Sequence, residues 1–232
     1  MEPGLFVLIL VAVAVAAFWI YQKERERREE LQYLAMQLEL DFDPAHDRSH
    51  HRRYGHSVFG RGRKRVASNT LRGVRPMAGH PVRVKMGDYR YTTGSGKNAQ
   101  THKLSYAIFH LPYVGTPDLL VRREHLGDKL KGGLGFDDID FESEEFSRQF
   151  WVTSSDRKYA YDVLHPRMMR FLLDGSRPHV EIVRDACLVL EGTRRWTPEQ
   201  FAGWVAWAEE FLSLWPEHLT ARLSTRDPWM LE

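Results

Sequence analysis

From Leu5 to Tyr21 the chain reads LFVLILVAVAVAAFWIY, 17 residues without a charged side chain. As a helix rising 1.5 Å per residue, such a run reaches about 26 Å, near the short end of what spans a hydrocarbon core. Trp19 and Tyr21 stand at its exit, where amphipathic rings favour the boundary between lipid and water. A cleaved signal peptide needs a basic segment ahead of the apolar one, and the charged side chain that precedes this run is Glu2. The core helix of a soluble domain is not ordinarily apolar all round. The expectation is a retained transmembrane anchor over residues 1–22.

The flanks set its direction. Lys23, Arg25, Arg27 and Arg28 follow the run, and no Lys or Arg precedes it. The interleaved Glu24, Glu26, Glu29 and Glu30 do not cancel the signal, because orientation follows Lys and Arg rather than net charge. The N-terminus is therefore expected outside the cell membrane, with one span and residues 22–232 in the cytoplasm. The single cysteine, Cys187, allows no intramolecular disulfide, which suits a reducing compartment.

Behind the anchor, residues 23–43 read as a juxtamembrane helix. Its first half is charged and has nothing apparent to bury, as in a solvated stalk; its second half carries Leu31, Leu34, Ala35 and Leu38 at spacings of three and four. Asp43-Pro44 closes it, and residues 44–232 form the expected cytoplasmic domain. Pro81–Thr92 and His102–Leu111 are rich in β-branched and aromatic residues, with stretches of alternation, and TTGSGKNAQT joins them as a polar hairpin loop. Further strands are expected at Leu119–Arg122, Ser147–Thr153, Val180–Val183 and Leu188–Leu190. Ser155 or Asp156 caps a helix that Pro166 interrupts and restarts. The last helix is the best specified. Thr197 at the N-cap, Pro198 after it and Gln200 at the third position make a capping box, and Phe201, Trp204, Val205, Ala208, Leu212 and Trp215 share one broad face. This order predicts an α+β fold: an N-terminal transmembrane helix, then a mainly antiparallel β-sheet domain packed with helices on one side.

Motifs for chemistry fail on inspection. Gly94-Ser95-Gly96-Lys97 suggests a phosphate loop, but Tyr91 stands where the first glycine belongs, Asn98 follows the lysine, and strands flank it on both sides. His46 and His50 are four apart, yet Pro44 and polar neighbours favour a loop and no third ligand is compelling. Cys187 opens the apolar strand CLVLE with no base at hand, so it reads as a small buried hydrophobe. Asp137, Asp138, Asp140, Glu142, Glu144 and Glu145 alternate with Phe136, Ile139, Phe141 and Phe146, a charged segment pinned by its aromatics. No catalytic residue is identified, and no metal or cofactor is expected.

Charge is what distinguishes this chain. The net charge is only +2, yet Arg48 to Gly87 holds eleven basic residues and no carboxylate. A possible partner is anionic lipid, with Arg61, Arg63, Lys64 and Arg65 as the headgroup contacts. The competing expectation pairs residues 48–87 internally with the acidic run 137–145. Nucleic acid is not expected, since no binding motif accompanies the charge.

Gly135–Leu173, GFDDIDFESEEFSRQFWVTSSDRKYAYDVLHPRMMRFLL, together with Asp88–Leu111, resembles a group of bacterial membrane proteins of unknown function that also carry one N-terminal span. The resemblance implies a bacterial origin and an anchor; it carries over no catalytic residue. The functional expectation is a non-enzymatic interaction or scaffold module at the inner face of the membrane, its protein partner unspecified. The alternative is an enzyme acting on a lipid or envelope precursor through the acidic run.

Overall fold

The computed structural model describes residues 3–123, 139–175 and 178–225, with side chains from residue 7 onward. The apolar run and the charged segment after it form one unbroken helix, α1 (Pro3–Gln37). From Val7 on it is long and apolar enough to cross a membrane, and its most apolar stretch is not buried against the rest of the protein. The helix stops where Glu39 takes a left-handed conformation (φ 53). The Leu40 N–H then donates to Ala35 at 2.8 Å and the Glu39 N–H to Met36 at 3.3 Å. These two bonds satisfy carbonyls the helix leaves over, and Leu40 folds back on the apolar stripe.

The remaining elements follow in order. They are β1 (Asp41–Asp43), α2 (His50–Arg53), α3 (Ser57–Gly60), β2 (Arg63–Met77), β3 (His80–Thr93), β4 (Gln100–His110), β5 (Tyr113–Val114) and β6 (Leu119–Arg123). After them come α4 (Glu144–Gln149), β7 (Phe150–Ser154), α5 (Arg157–Val163), α6 (Pro166–Leu173), β8 (His179–Val183), β9 (Ala186–Leu190), α7 (Pro198–Ser213), α8 (Glu217–Thr220) and β10 (Ser224–Thr225). Eight strands make one antiparallel sheet in the order β1-β2-β3-β4-β9-β8-β6-β7, and β5 pairs with β10 apart from it. The α+β architecture with an antiparallel sheet is as the pattern predicts.

Alternation along β4 divides the core into two layers. Ala107 and Phe109 face a large cluster with Leu31, Leu34 and Ala35 of α1, Phe201 and Trp204 of α7, and the apolar sides of α5 and α6. Leu104, Tyr106 and Ile108 face the other way, under Tyr54, Val58 and Phe59 of the α2–α3 segment. Helices therefore cover both faces of the sheet, not one. Four-residue helices carry no periodic signal, so only burial shows them. Local chemistry explains other boundaries. Ser143 accepts from the Phe146 N–H and starts α4, so the expected strand at Ser147 begins only at Phe150. Asp156 caps α5 and the Thr197–Gln200 capping box opens α7. Arg184 and Asp185, both left-handed (φ 52 and 61), form the two-residue turn between β8 and β9. Cys187 is buried, and burial drives its thiol well above the usual range, which leaves it without nucleophilic character.

The α2–α3 cover holds two buried histidines. His50 Nε2 lies 2.7 Å from the Tyr106 hydroxyl, and His56 Nε2 lies 2.9 Å from the Ala186 carbonyl. Burial and then Lys85 push His50 down to about 3, against the opposing pull of Asp47; burial lowers His56 against the pull of Glu181. Both are neutral in the fold at pH 7, whereas the unfolded chain takes up protons near 6.5. Stability is thus fully present above pH 6.5 and is lost as pH falls through that value. For His50 the expected cost is about 1.4 kcal/mol for each pH unit below 6.5, and His56 adds to it in the same direction. Denaturant unfolding in detergent should show a loss of at least about 1.4 kcal/mol between pH 7.5 and 5.5, reduced in His50→Gln. A flat profile over that range would mean that neither ring is held neutral in the fold.

Candidate functional site

The sheet climbs α1. Leu40 packs where a Cβ on Gly73 would sit, 2.8 Å from its Cδ2, and Gly73 pairs with Val84 on β3. Four residues further along β3, Asp88 receives Arg27. Two residues beyond that, Arg90 shares a cavity of about 520 Å³ with Ala17, Ile20 and Tyr21. Following β3 from Val84 to Arg90 therefore follows α1 back from Leu40 into the apolar run. The start of β2 and the β3–β4 hairpin point the same way.

Asp88 fixes this arrangement. It is 5% exposed, and it accepts Arg27 Nε at 2.7 Å and Arg27 Nη2 at 2.6 Å, Asn69 Nδ2 at 3.0 Å and the Ser105 hydroxyl at 2.8 Å. Arg27 Nη1 also donates to the Trp196 carbonyl at 3.0 Å. One turn earlier, Glu24 takes both guanidinium nitrogens of Arg195, at 2.6 and 3.0 Å. That bidentate bond holds Glu24 below its ordinary value. The segment expected as a solvated stalk is thus bolted to the sheet and to the start of α7. A bulge in β2 makes the approach possible: Asn69 is left-handed (φ 51) between the register shifts at Ser68 and Leu71. Opposite it, a Cβ on Gly87 would lie 3.0 Å from the Ser68 carbonyl and 3.1 Å from that of Asn69, so any larger residue would push the bulge backbone aside by a few tenths of an ångström.

Around this junction the edge of the sheet is basic. Arg28, Arg90, Lys103 and Arg195 line the cavity against α1, and Arg90 and Lys103 are direct cross-strand partners. A neighbouring cavity of about 600 Å³ is lined by Arg48, Lys64, Arg65 and Arg90. Of the four residues singled out from sequence, Lys64 and Arg65 line that cavity. Arg63 is exposed and donates to the Gly94 carbonyl of the hairpin tip, while Arg61 is half-buried with its Nε enclosed. Arg28 was read only as a flanking charge of the span, and Arg90, Lys103 and Arg195 escaped the sequence reading, because strand register and ion pairs bring them to this edge.

The other candidates stand elsewhere. Asp140, Glu142, Glu144 and Glu145 are exposed around α4 and line none of the cavities described here; Asp137, Asp138 and Phe136 lie outside the described residues. The ion pairs described for the basic stretch join Arg75 to Glu39 and Lys85 to Asp47. Gly94–Lys97 is a hairpin tip between antiparallel strands. His46 is exposed while His50 points into the core, so the two do not converge.

No protein-family model and no curated protein matches the sequence. Among solved structures, the crystal structure of the mycobacterial trehalose monomycolate transport factor A, TtfA, has a similar fold, with a TM-score of 0.58 at 12% identity over 83% of this chain and 97% of that one. At that identity the likeness is one of fold.

Proposed function

We propose that this chain is a membrane-tethered, non-enzymatic module whose basic edge rests on anionic headgroups. Residues 1–22 are its single span and 23–43 a juxtamembrane segment, helical as far as Gln37, with the N-terminus outside and residues 44–232 the cytoplasmic domain. One observation carries the reading: α1 runs without a break from the apolar segment into the core and is bolted there by Arg27 and Asp88. A rigid helix leaves the domain little freedom to turn, so the edge beside Ala17–Arg28 lies at the depth of the interface. The edge carries cations where the cytoplasmic leaflet is negative, each worth about 1 kcal/mol near the surface. Three of them supply about 3 kcal/mol, roughly a hundredfold in the docked population.

The fold neighbour is by its title a transport factor for trehalose monomycolate, and we assign this chain a role of the same broad kind: a membrane-associated, transport-related module without catalysis of its own. Among the described residues, Asp140, Glu142 and Glu144 are exposed, which supports the non-enzymatic reading over the enzymatic alternative.

The test places the full chain in nanodiscs of phosphatidylcholine with or without phosphatidylglycerol. Amide exchange at residues 63–66 and 100–103 is expected to slow in the anionic discs and to recover at high salt or in the Lys64→Glu, Arg65→Glu double variant. Equal exchange in both discs would refute the headgroup contact.

A further inference from the structure

A second basic cleft lies far from the first, on the sheet face that α2 and α3 leave partly open. Its volume is about 600 Å³. Strand register builds it. Arg72 on β2 is paired with Lys85 on β3, and Arg83 on β3 with His110 on β4, so these four side chains emerge side by side on one face. Arg53 closes one end from α2, and Arg184 closes another from the left-handed turn between β8 and β9. Asp41, across from Arg72 on β1, is the one carboxylate among the lining residues. Like charges set directly opposite across strands destabilise a sheet, so five guanidinium and ammonium groups, set against Asp41 and against Asp47 at 3.6 Å from Lys85 Nζ, leave an excess of positive charge that favours an added anion.

The shape narrows the anion. The volume falls within the usual range for a small-molecule site. Tyr54, Val74, Val183 and Ala186 supply an apolar wall beside the charges, and Lys85 Nζ stands 5.7 Å over the Tyr54 ring. Guanidinium forks match phosphate oxygens two at a time. Location removes the bilayer as the source. Arg83 and Lys85 flank Val84, at the level where Leu40 meets the sheet, whereas the basic edge meets α1 at Ala17–Tyr21. Along β3 the six residues from Val84 to Arg90 correspond to about 20 Å, more than two Debye lengths.

We propose that this cleft binds a water-soluble organic ligand bearing two or more phosphates, with the phosphates on Arg72, Arg83 and Lys85 and the organic part against Tyr54. The proposal does not depend on the headgroup contact at the other end of the sheet.

The experiment titrates inorganic pyrophosphate into the full chain in phosphatidylcholine nanodiscs by calorimetry. Saturable binding is expected at one site per chain, weakened at least tenfold by Arg72→Ala and by Arg184→Asn. Both positions are exposed, and asparagine tolerates the left-handed turn at 184. Lys158→Ala, an equal loss of charge on exposed α5, should leave the affinity within twofold. Discs containing phosphatidylglycerol should give the same affinity, and loss of binding there would assign the cleft to a lipid headgroup and overturn the soluble-ligand reading. Absence of saturable binding, or binding that ignores Arg72→Ala and Arg184→Asn, overturns the site. Binding of polyglutamate with none of pyrophosphate would overturn it in favour of an acidic protein segment.

Discussion

Asp88→Ala is expected to remove about 3–5 kcal/mol of stability, a large part of what an ordinary domain possesses. The reason is the partner left behind. The Arg27 side chain is 14% exposed and faces a carboxylate that is itself 6% exposed. Without that carboxylate a guanidinium stays enclosed with only the Trp196 carbonyl and the Ser105 hydroxyl to receive its five N–H groups. Breaking a buried pair costs far more than the pair contributes over an apolar replacement. Asp88→Asn keeps the shape but loses the charge and should fall between. Adding Arg27→Gln to Asp88→Asn removes both charges and should recover part of the loss, which a double-mutant cycle in detergent would measure. A cost below about 1 kcal/mol for Asp88→Ala would place the pair among solvent-screened ion pairs and would undo the rigid connection between α1 and the sheet. Amide exchange across residues 22–30 gives an independent reading, because those amides should exchange faster once the bolt is gone.

What sequence alone could reveal divides by range. The apolar run, the capping box at Thr197, the β3–β4 hairpin and the β8–β9 turn rest on residues within a few positions of one another, and those signals are readable one segment at a time. The union of α1 with Asp88 spans 61 residues of chain and has no local trace. A trace of another kind was present: between residues 48 and 111, which hold fourteen basic residues, Asp88 is the single carboxylate. A lone acid in such a stretch is costly to bury unless a cation meets it, so its isolation pointed to a partner from outside the segment. The second core layer was hidden because α2 and α3 are too short to show a period. The basic edge was half legible: Arg63, Lys64 and Arg65 are contiguous, whereas Arg90, Lys103 and Arg195 reach it through register and packing. The cleft of Arg72, Arg83 and Lys85 needed the pairing of β2 with β3 before its charges could be seen as neighbours.

Trp204→Ala is expected to cost about 3–5 kcal/mol, and Trp207→Ala clearly less, about 1–2 kcal/mol. The two rings lie on one helix and touch, with centroids 5.6 Å apart, so the comparison holds composition and helix propensity fixed. Three helical positions turn the side chain by about 300°, which carries Trp207 about 60° off the line of Trp204. Trp204 is 4% exposed and packs on Trp196, centroid to centroid 5.4 Å, whereas Trp207 is half-buried and stacks on Phe211 and Phe171 at the margin of the layer. Removing Trp204 opens a cavity behind Trp196, whose carbonyl accepts Arg27 and whose N–H donates to the Ser105 hydroxyl at 2.9 Å. The damage should therefore spread to the junction with α1: Trp204→Ala should raise amide exchange across residues 22–30, and Trp207→Ala should not. Equal unfolding costs for the two substitutions in detergent would mean that α7 does not present Trp204 to the core. Equal costs with unchanged exchange at 22–30 would further show that the α7 layer and the Asp88 bolt are energetically separate.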